Sequence, residues 1–141
     1  DPTAIATGKE PLLTLHSNGT AKELHSGLIW MRCALGQTWI GEACKGKPQY
    51  MENYERASAL ASTATFAGSS GWRIPTASEL QQLQILVGER HSEVFPGAPT
   101  GLFQSSSKNE ARFSGKPYVI FFGSDQSQRM KILVRLVRSA N

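Results

Sequence analysis

The stretch Gly71-Trp72-Arg73-Ile74-Pro75-Thr76-Ala77-Ser78-Glu79-Leu80 decides how this chain is read. Thr76 and Glu79 stand three residues apart, the spacing of a capping box. In that motif an N-cap hydroxyl and an N3 carboxylate each accept a backbone N–H that the first helical turn leaves unpaired. A helix therefore begins behind Thr76. Leu80, Leu83 and Val87 supply its buried stripe, and Gly88 ends it. Trp72, just ahead of the cap, is expected to anchor the helix start by packing. Arg73 is expected to make a structural ion pair or a carbonyl contact rather than to bind ligand.

Working outward, residues 51–66 also read as a helix: Tyr54, Ala57, Ala61 and Ala64 fall at helical spacing, with Gly68 as the stop. The small alanine face suits close packing on a sheet. Upstream, residues 11–16 read as a strand and Asn18-Gly19 as a hairpin turn, because both positions tolerate positive φ. The return strand runs near residues 21–25, and a third strand covers residues 27–33. Downstream, residues 88–101 read as a loop rich in Gly and Pro, followed by strand-like pieces at 102–106 and 117–122. Residues 123–127 form a turn. Residues 131–138 close the chain as one alternating strand, with Ile132, Val134 and Leu136 on one face and Leu133, Arg135 and Val137 on the other. Two central helices flanked by antiparallel strands indicate an α+β fold. Residues 1–10 read as a loose leader and 11–141 as a single domain.

At 141 residues with 40% hydrophobic content, the chain is long enough for one globular core. No run approaches the 18 or so apolar residues that a membrane span requires. Asp1-Pro2-Thr3 lacks the basic and apolar regions of a signal peptide. Either such a segment has been removed or the sequence is an excised domain. Cys33 and Cys44 have ten residues between them in a Gly-rich segment. That spacing is wrong for a C-x-x-C redox or zinc motif, and no convincing metal set stands nearby. A disulfide closing a surface loop fits better than two unrelated thiols, and would contribute about 2–3 kcal/mol on the chain-entropy model. A stable disulfide in turn places the chain outside the cytoplasm. The formal charge of +4 and pI near 9.3 admit an anionic partner without requiring one. No Lys/Arg run or nucleic-acid motif is present, so a nucleic-acid partner is not expected.

Several blocks, taken together, carry a family likeness: residues 27–33, Gly36-Gln37-Thr38-Trp39, the Trp72-Arg73-Ile74-Pro75-Thr76 segment with Glu79-Leu80, Phe95-Pro96, Ser105-Ser106 and Val134-Arg135-Leu136-Val137-Arg138. In this order they resemble the Lcl C-terminal (DUF1566) domain family over roughly residues 24–138. That family resembles the C-type lectin fold and the formylglycine-generating-enzyme superfamily. The resemblance implies two helices packed on twisted antiparallel sheets, with the first and last strands paired. It also implies a bacterial surface, pilus or adhesin protein, since some relatives are collagen-like adhesins that bind glycosaminoglycans. One departure is Phe103-Gln104-Ser105-Ser106, where relatives usually carry an aromatic-Trp-Ser-Ser block. A ligand contact made by that Trp does not transfer to this chain.

The chemistry expected is recognition, not catalysis, and no cofactor is expected. Formylglycine-generating enzymes use a reactive cysteine pair in their C-terminal half, and no cysteine follows Cys44 here. His16, His25 and His91 are scattered without metalloprotease spacing, and no G-x-S-x-G element is present. The calcium motifs of C-type lectins are absent too; Gly123-Ser124-Asp125-Gln126 comes nearest and offers a single acid. Among the tryptophans, Trp30 reads as core. Trp39, inside the cysteine loop, either stacks on a sugar or a protein partner or packs beneath its own loop. Lys45, Lys47, Arg129, Lys131 and Arg135 either form a cationic strip for sulfated or acidic polysaccharide or are simply solvated. The alternative function is a structural assembly subunit docking another envelope or pilus protein. Apolar residues at 117–122 are compatible with oligomerisation and equally with a buried strand.

Overall fold

The computed structural model describes residues 3–7, 10–50, 54–99, 101–106, 119–122 and 132–140. Its elements run β1 (Thr3–Thr7), β2 (Glu10–Leu15), β3 (Thr20–Glu23), β4 (Ile29–Met31), β5 (Thr38–Ile40), β6 (Ala43–Lys45), α1 (Tyr54–Thr63), α2 (Ala77–Val87), α3 (His91–Val94), β7 (Gly101–Gln104), β8 (Val119–Phe122), β9 (Ile132–Leu133) and β10 (Val137–Arg138). Helices and largely antiparallel sheets with one disulfide make this an α+β chain.

Asn18-Gly19 starts the main sheet as the sequence predicts. Gly19 adopts φ +93°, and the Asn18 Oδ1 accepts from the Thr20 N–H (3.1 Å) and hydroxyl (2.7 Å), so the turn caps itself. The five-stranded sheet has the order β1-β2-β3-β4-β10, with every neighbouring pair antiparallel. Successive strand residues point to opposite faces, and the two hydrophobic clusters follow that rule. Trp30 and Val137 join Leu13, Leu15 and Ala21 against Ala77, Leu80, Leu83 and Val87 of α2. Met31 and Leu136 join Trp72 and Ile74 against Ala57 and Ala61 of α1. The two helices therefore cover opposite faces of one sheet.

The capping box forms as read. The Thr76 hydroxyl accepts from the Glu79 N–H at 3.1 Å, and Glu79 Oε1 accepts from the Thr76 N–H at 2.8 Å. Arg73 adds a two-pronged pair to both Glu79 oxygens at 2.8 and 2.7 Å. Its own backbone pairs with Val137 in both directions. One residue thus ties the helix start to the last strand. Burial alone would raise the Glu79 carboxyl, but the hydrogen bonds from Arg73, supported by Thr76, hold it below its usual value. Gly88 ends α2 at φ +55°. Trp30 is core, its Nε1 donating to the buried Glu23 carboxylate at 2.5 Å.

Five expectations are corrected. Within residues 1–10, Thr3–Thr7 is not loose: it pairs along β2, where β-branched Thr3, Ile5 and Thr7 suit an edge strand. The first and last strands do not pair, because β10 takes the free edge of β4 while β1 lies at the far end of the sheet. The loop at 88–101 contains α3, a single turn too short to show periodicity. A three-stranded sheet of order β8-β7-β9 is not wholly antiparallel, since β9 runs parallel to β7. Finally, 131–138 is not one strand with an outward face. It breaks between β9 and β10, where Val134 O and Leu136 O accept from Leu35 N–H (2.7 Å) and Met31 N–H (3.0 Å). Both alternating faces there are buried, each in its own cluster.

Replacing Thr76 with Ala removes the box's hydroxyl acceptor at the start of the main buried helix. The expected cost is about 1 kcal/mol, measured as a lowered midpoint of urea unfolding at unchanged slope. An unaltered midpoint would contradict this account of the helix start.

Candidate functional site

A two-stranded ribbon, β5 with β6, projects from the end of β4 and is held by residues 93–97. Cys44 in β6 forms the disulfide with Cys33, Cα to Cα 5.5 Å, and its N–H donates to Pro96 O at 2.8 Å. Gly97 sits at φ +79° against the Cys44 backbone, so closely that a methyl there would overlap the Cys44 carbonyl. Only glycine permits that approach. Gln37 completes the clamp. Its Oε1 accepts from Ala34 N–H, and its Nε2 donates to Gly46 O and Gly97 O, each at 3.1 Å.

Arg32 fixes the other side of the same segment. Its guanidinium donates to Val94 O (2.7 Å), Glu93 O (3.1 Å) and His16 O (3.0 Å). Burial lowers its pKa, and with its donors spent on carbonyls it is a brace. Arg32 also lies over the Trp39 ring, 4.6 Å from the centroid. Trp39 Nε1 donates to Ser17 O at 2.8 Å, and the ring rests on Gly19, where a Cβ would come within 2.6 Å of Trp39 Cγ. The glycine that shapes the first hairpin is thus also the seat of the indole.

The residues expected to bind ligand separate into groups. Trp39 is half-buried; Lys45, the last residue of β6, and Lys47, two residues beyond it, are exposed. The register puts Trp39 (paired with Cys44) on the opposite face of the ribbon from Lys45 (paired with Thr38). Thr38 and Lys45 are direct cross-strand partners, so their side chains leave the same face about 5 Å apart at Cβ. Arg135 does not join them. It is fully buried, its guanidinium 3.8 Å from the Phe95 ring centroid and 4.7 Å from that of Phe103. Burial pushes its pKa down to about 9, so it remains a cation at neutral pH. Alternation placed it outward, but the break after β9 turns it inward onto two aromatic faces. Arg129, Lys131 and the turn at 123–127 lie outside the described residues. Among the described residues, no group of three His, Cys, Asp or Glu side chains stands close enough to hold a metal ion.

Trp39 stands between two open clefts. One, of about 290 Å³, is lined by Arg32, His16, Glu42 and Glu93. The other, of about 390 Å³, is bounded by Asn18, Thr38, Thr65, Phe66 and Ala67 and carries no charge. Sequence reasoning missed Asn18, Thr65 and Phe66 as lining residues. Phe66 is half-buried and packs edge-on against Trp72, with centroids 6.0 Å apart and planes at 84°. It is presented by a tight turn in which Phe66 and Ser69 exchange backbone hydrogen bonds of 3.0 and 2.9 Å. Ala67 (φ +53°) and Gly68 (φ +75°) both occupy the left-handed region within it. Alanine there costs about 1 kcal/mol relative to glycine. The turn had no Asn-Gly or Asp-Gly signature to reveal it.

His91 packs on Phe95 at 5.2 Å between ring centroids, beside the Arg135 charge. Burial, then Arg135, lowers its pKa to about 4. A histidine depressed in the folded state is neutral there, while the unfolded chain takes up the proton near pH 6.5. The stability it confers is therefore present above about pH 6.5 and is lost as pH falls toward 4. His16, also lowered by burial, acts in the same direction. The expected result is a melting temperature that falls between pH 6.5 and 5.5, above the carboxylate range, and falls less in His91→Gln. An identical pH slope in the variant would contradict the assignment to His91.

No curated protein and no solved structure matches the chain. The family model of the Lcl C-terminal domain matches residues 19–138. That span begins at the glycine seating Trp39, ends in β10, and includes the disulfide, the ribbon and both long helices. The chain belongs to the Lcl C-terminal domain family.

Proposed function

We propose that this chain is a non-enzymatic recognition module of a bacterial surface protein, with a C-type-lectin-like fold, which binds sulfated or acidic glycans without metal. The observation that carries the reading is the disulfide-closed ribbon. It carries a half-buried Trp39 on one face and an exposed Lys45 on the other, with exposed Lys47 just beyond β6, on a base locked by residues 93–97. Family membership supports a surface protein. A buried disulfide supports an extracytoplasmic location, where such bonds persist. Among the described residues, no helix is long and apolar enough to cross a membrane. Ammonium groups on a rigid ribbon attract sulfate or carboxylate with little ordering cost, and the overall charge of +4 draws a polyanion toward it.

Retention on immobilised heparin tests this. Binding carried by exposed lysines is expected to fall steeply between low and physiological ionic strength. Lys45→Ala with Lys47→Ala is expected to weaken it by about three- to tenfold at low salt, at unchanged melting temperature. Retention indifferent both to salt and to these substitutions would remove the cationic reading and favour an apolar docking surface of an assembly subunit.

A further inference from the structure

The grooves of the molecule differ in charge, and that difference selects among them. One, about 580 Å³ between α2 and the β3–β4 turn, is lined by Glu23, Glu79 and an Arg73 already paired to Glu79. The cleft on the Arg32 side of Trp39 carries Glu42 and Glu93, and all three nitrogens of the Arg32 guanidinium already donate to carbonyls. Both present carboxylates to an incoming anion. The cleft between Trp39 and Phe66 presents none.

That uncharged cleft combines features which suit a carbohydrate ring. Two aromatic side chains, Trp39 and Phe66, offer apolar surface to the C–H faces of a pyranose. The exposed Thr38 and Thr65 hydroxyls, and the Asn18 amide nitrogen, are engaged by no hydrogen bond within the described residues. The Asn18 carbonyl is held by Thr20, so the amide is already oriented. The volume of about 390 Å³ falls within the ordinary range of small-ligand sites. Lys45 is the direct cross-strand partner of Thr38, which lines the cleft, and leaves the ribbon on the same face as Thr38.

We infer that the Trp39–Phe66 cleft is a pyranose-ring subsite. One sugar residue of an acidic or sulfated glycan sits against the two aromatics with its hydroxyls on Asn18, Thr38 and Thr65, while Lys45 takes its anionic substituent. The inference rests on the glycan-recognition reading and adds the seat of the ring. It divides the labour of binding: the lysines attract, and the uncharged cleft selects.

A heparin-derived hexasaccharide titrated into the isotope-labelled chain, followed by NMR, tests the subsite apart from the function. The Trp39 indole N–H and the Thr65 and Ala67 amides are expected to shift together with Lys45. Thr65→Trp, which fills the cleft from an exposed position, is expected to weaken binding at least fivefold while leaving its salt dependence intact. The milder pair Thr38→Ala with Thr65→Ala is expected to weaken it two- to threefold and guards against misfolding of the larger variant. Hexasaccharide binding that both variants leave unchanged, with shifts confined to Lys45 and Lys47, would overturn the subsite and leave glycan recognition standing. Absence of hexasaccharide binding to the parent chain would overturn both.

Discussion

Two guanidinium groups withdrawn from water fix residues 93–97, and the candidate site depends on that segment. Arg32 grips it from one side through Glu93 O and Val94 O. Arg135 supports it from beneath by stacking on Phe95. The segment then fixes the ribbon through Pro96 O to Cys44 N–H, and through Gly97 against Cys44 and Gln37. Buried cations are expensive to desolvate, and removing the partners of one costs several kcal/mol. A brace of this kind tolerates few alternative arrangements. It therefore suits a site whose side chains must be held before the ligand arrives, because ordering completed during folding is not charged against affinity.

The same economy separates several of the basic residues into two kinds, with Arg56 and Arg90 exposed besides. Arg32, Arg73, Arg135 and Arg138 are committed within the fold, to carbonyls, to Glu79 or to aromatic faces. Lys45 and Lys47 remain in solvent. Arginine suits the first task because its planar fork reaches several acceptors and stacks on rings, whereas lysine suits the second as a mobile point charge. Counting cations along the chain overstates the charge available to a partner. The distribution between fold and surface decides it.

What could be read from sequence follows the range of the interaction that writes it. The Thr76–Glu79 box and the Asn18-Gly19 turn are codes of a few residues, and both formed as read. The disulfide followed from spacing and the absence of a metal set. Trp30 and Trp72 were placed in the core by their neighbours on a strand and before a cap. Arg135 was misplaced because alternation assumes a buried face and a wet face, whereas this segment threads between two cores. Thr65 and Phe66 escaped because they reach Trp39 only through the fold, across a turn whose Ala67 gives no local sign of positive φ. Of the site, the sequence disclosed the disulfide and the Trp39 within its loop, but neither the β5–β6 ribbon nor the opposing wall.

The central claim is that this domain recognises acidic glycans through a preformed protein surface that needs no metal. The most direct measurement is a glycan array probed with the intact chain, with and without a chelator. The account predicts selective binding to sulfated or uronic-acid glycans over neutral ones, with the same pattern in both conditions. Binding abolished by chelator, or no preference for acidic glycans, would contradict it.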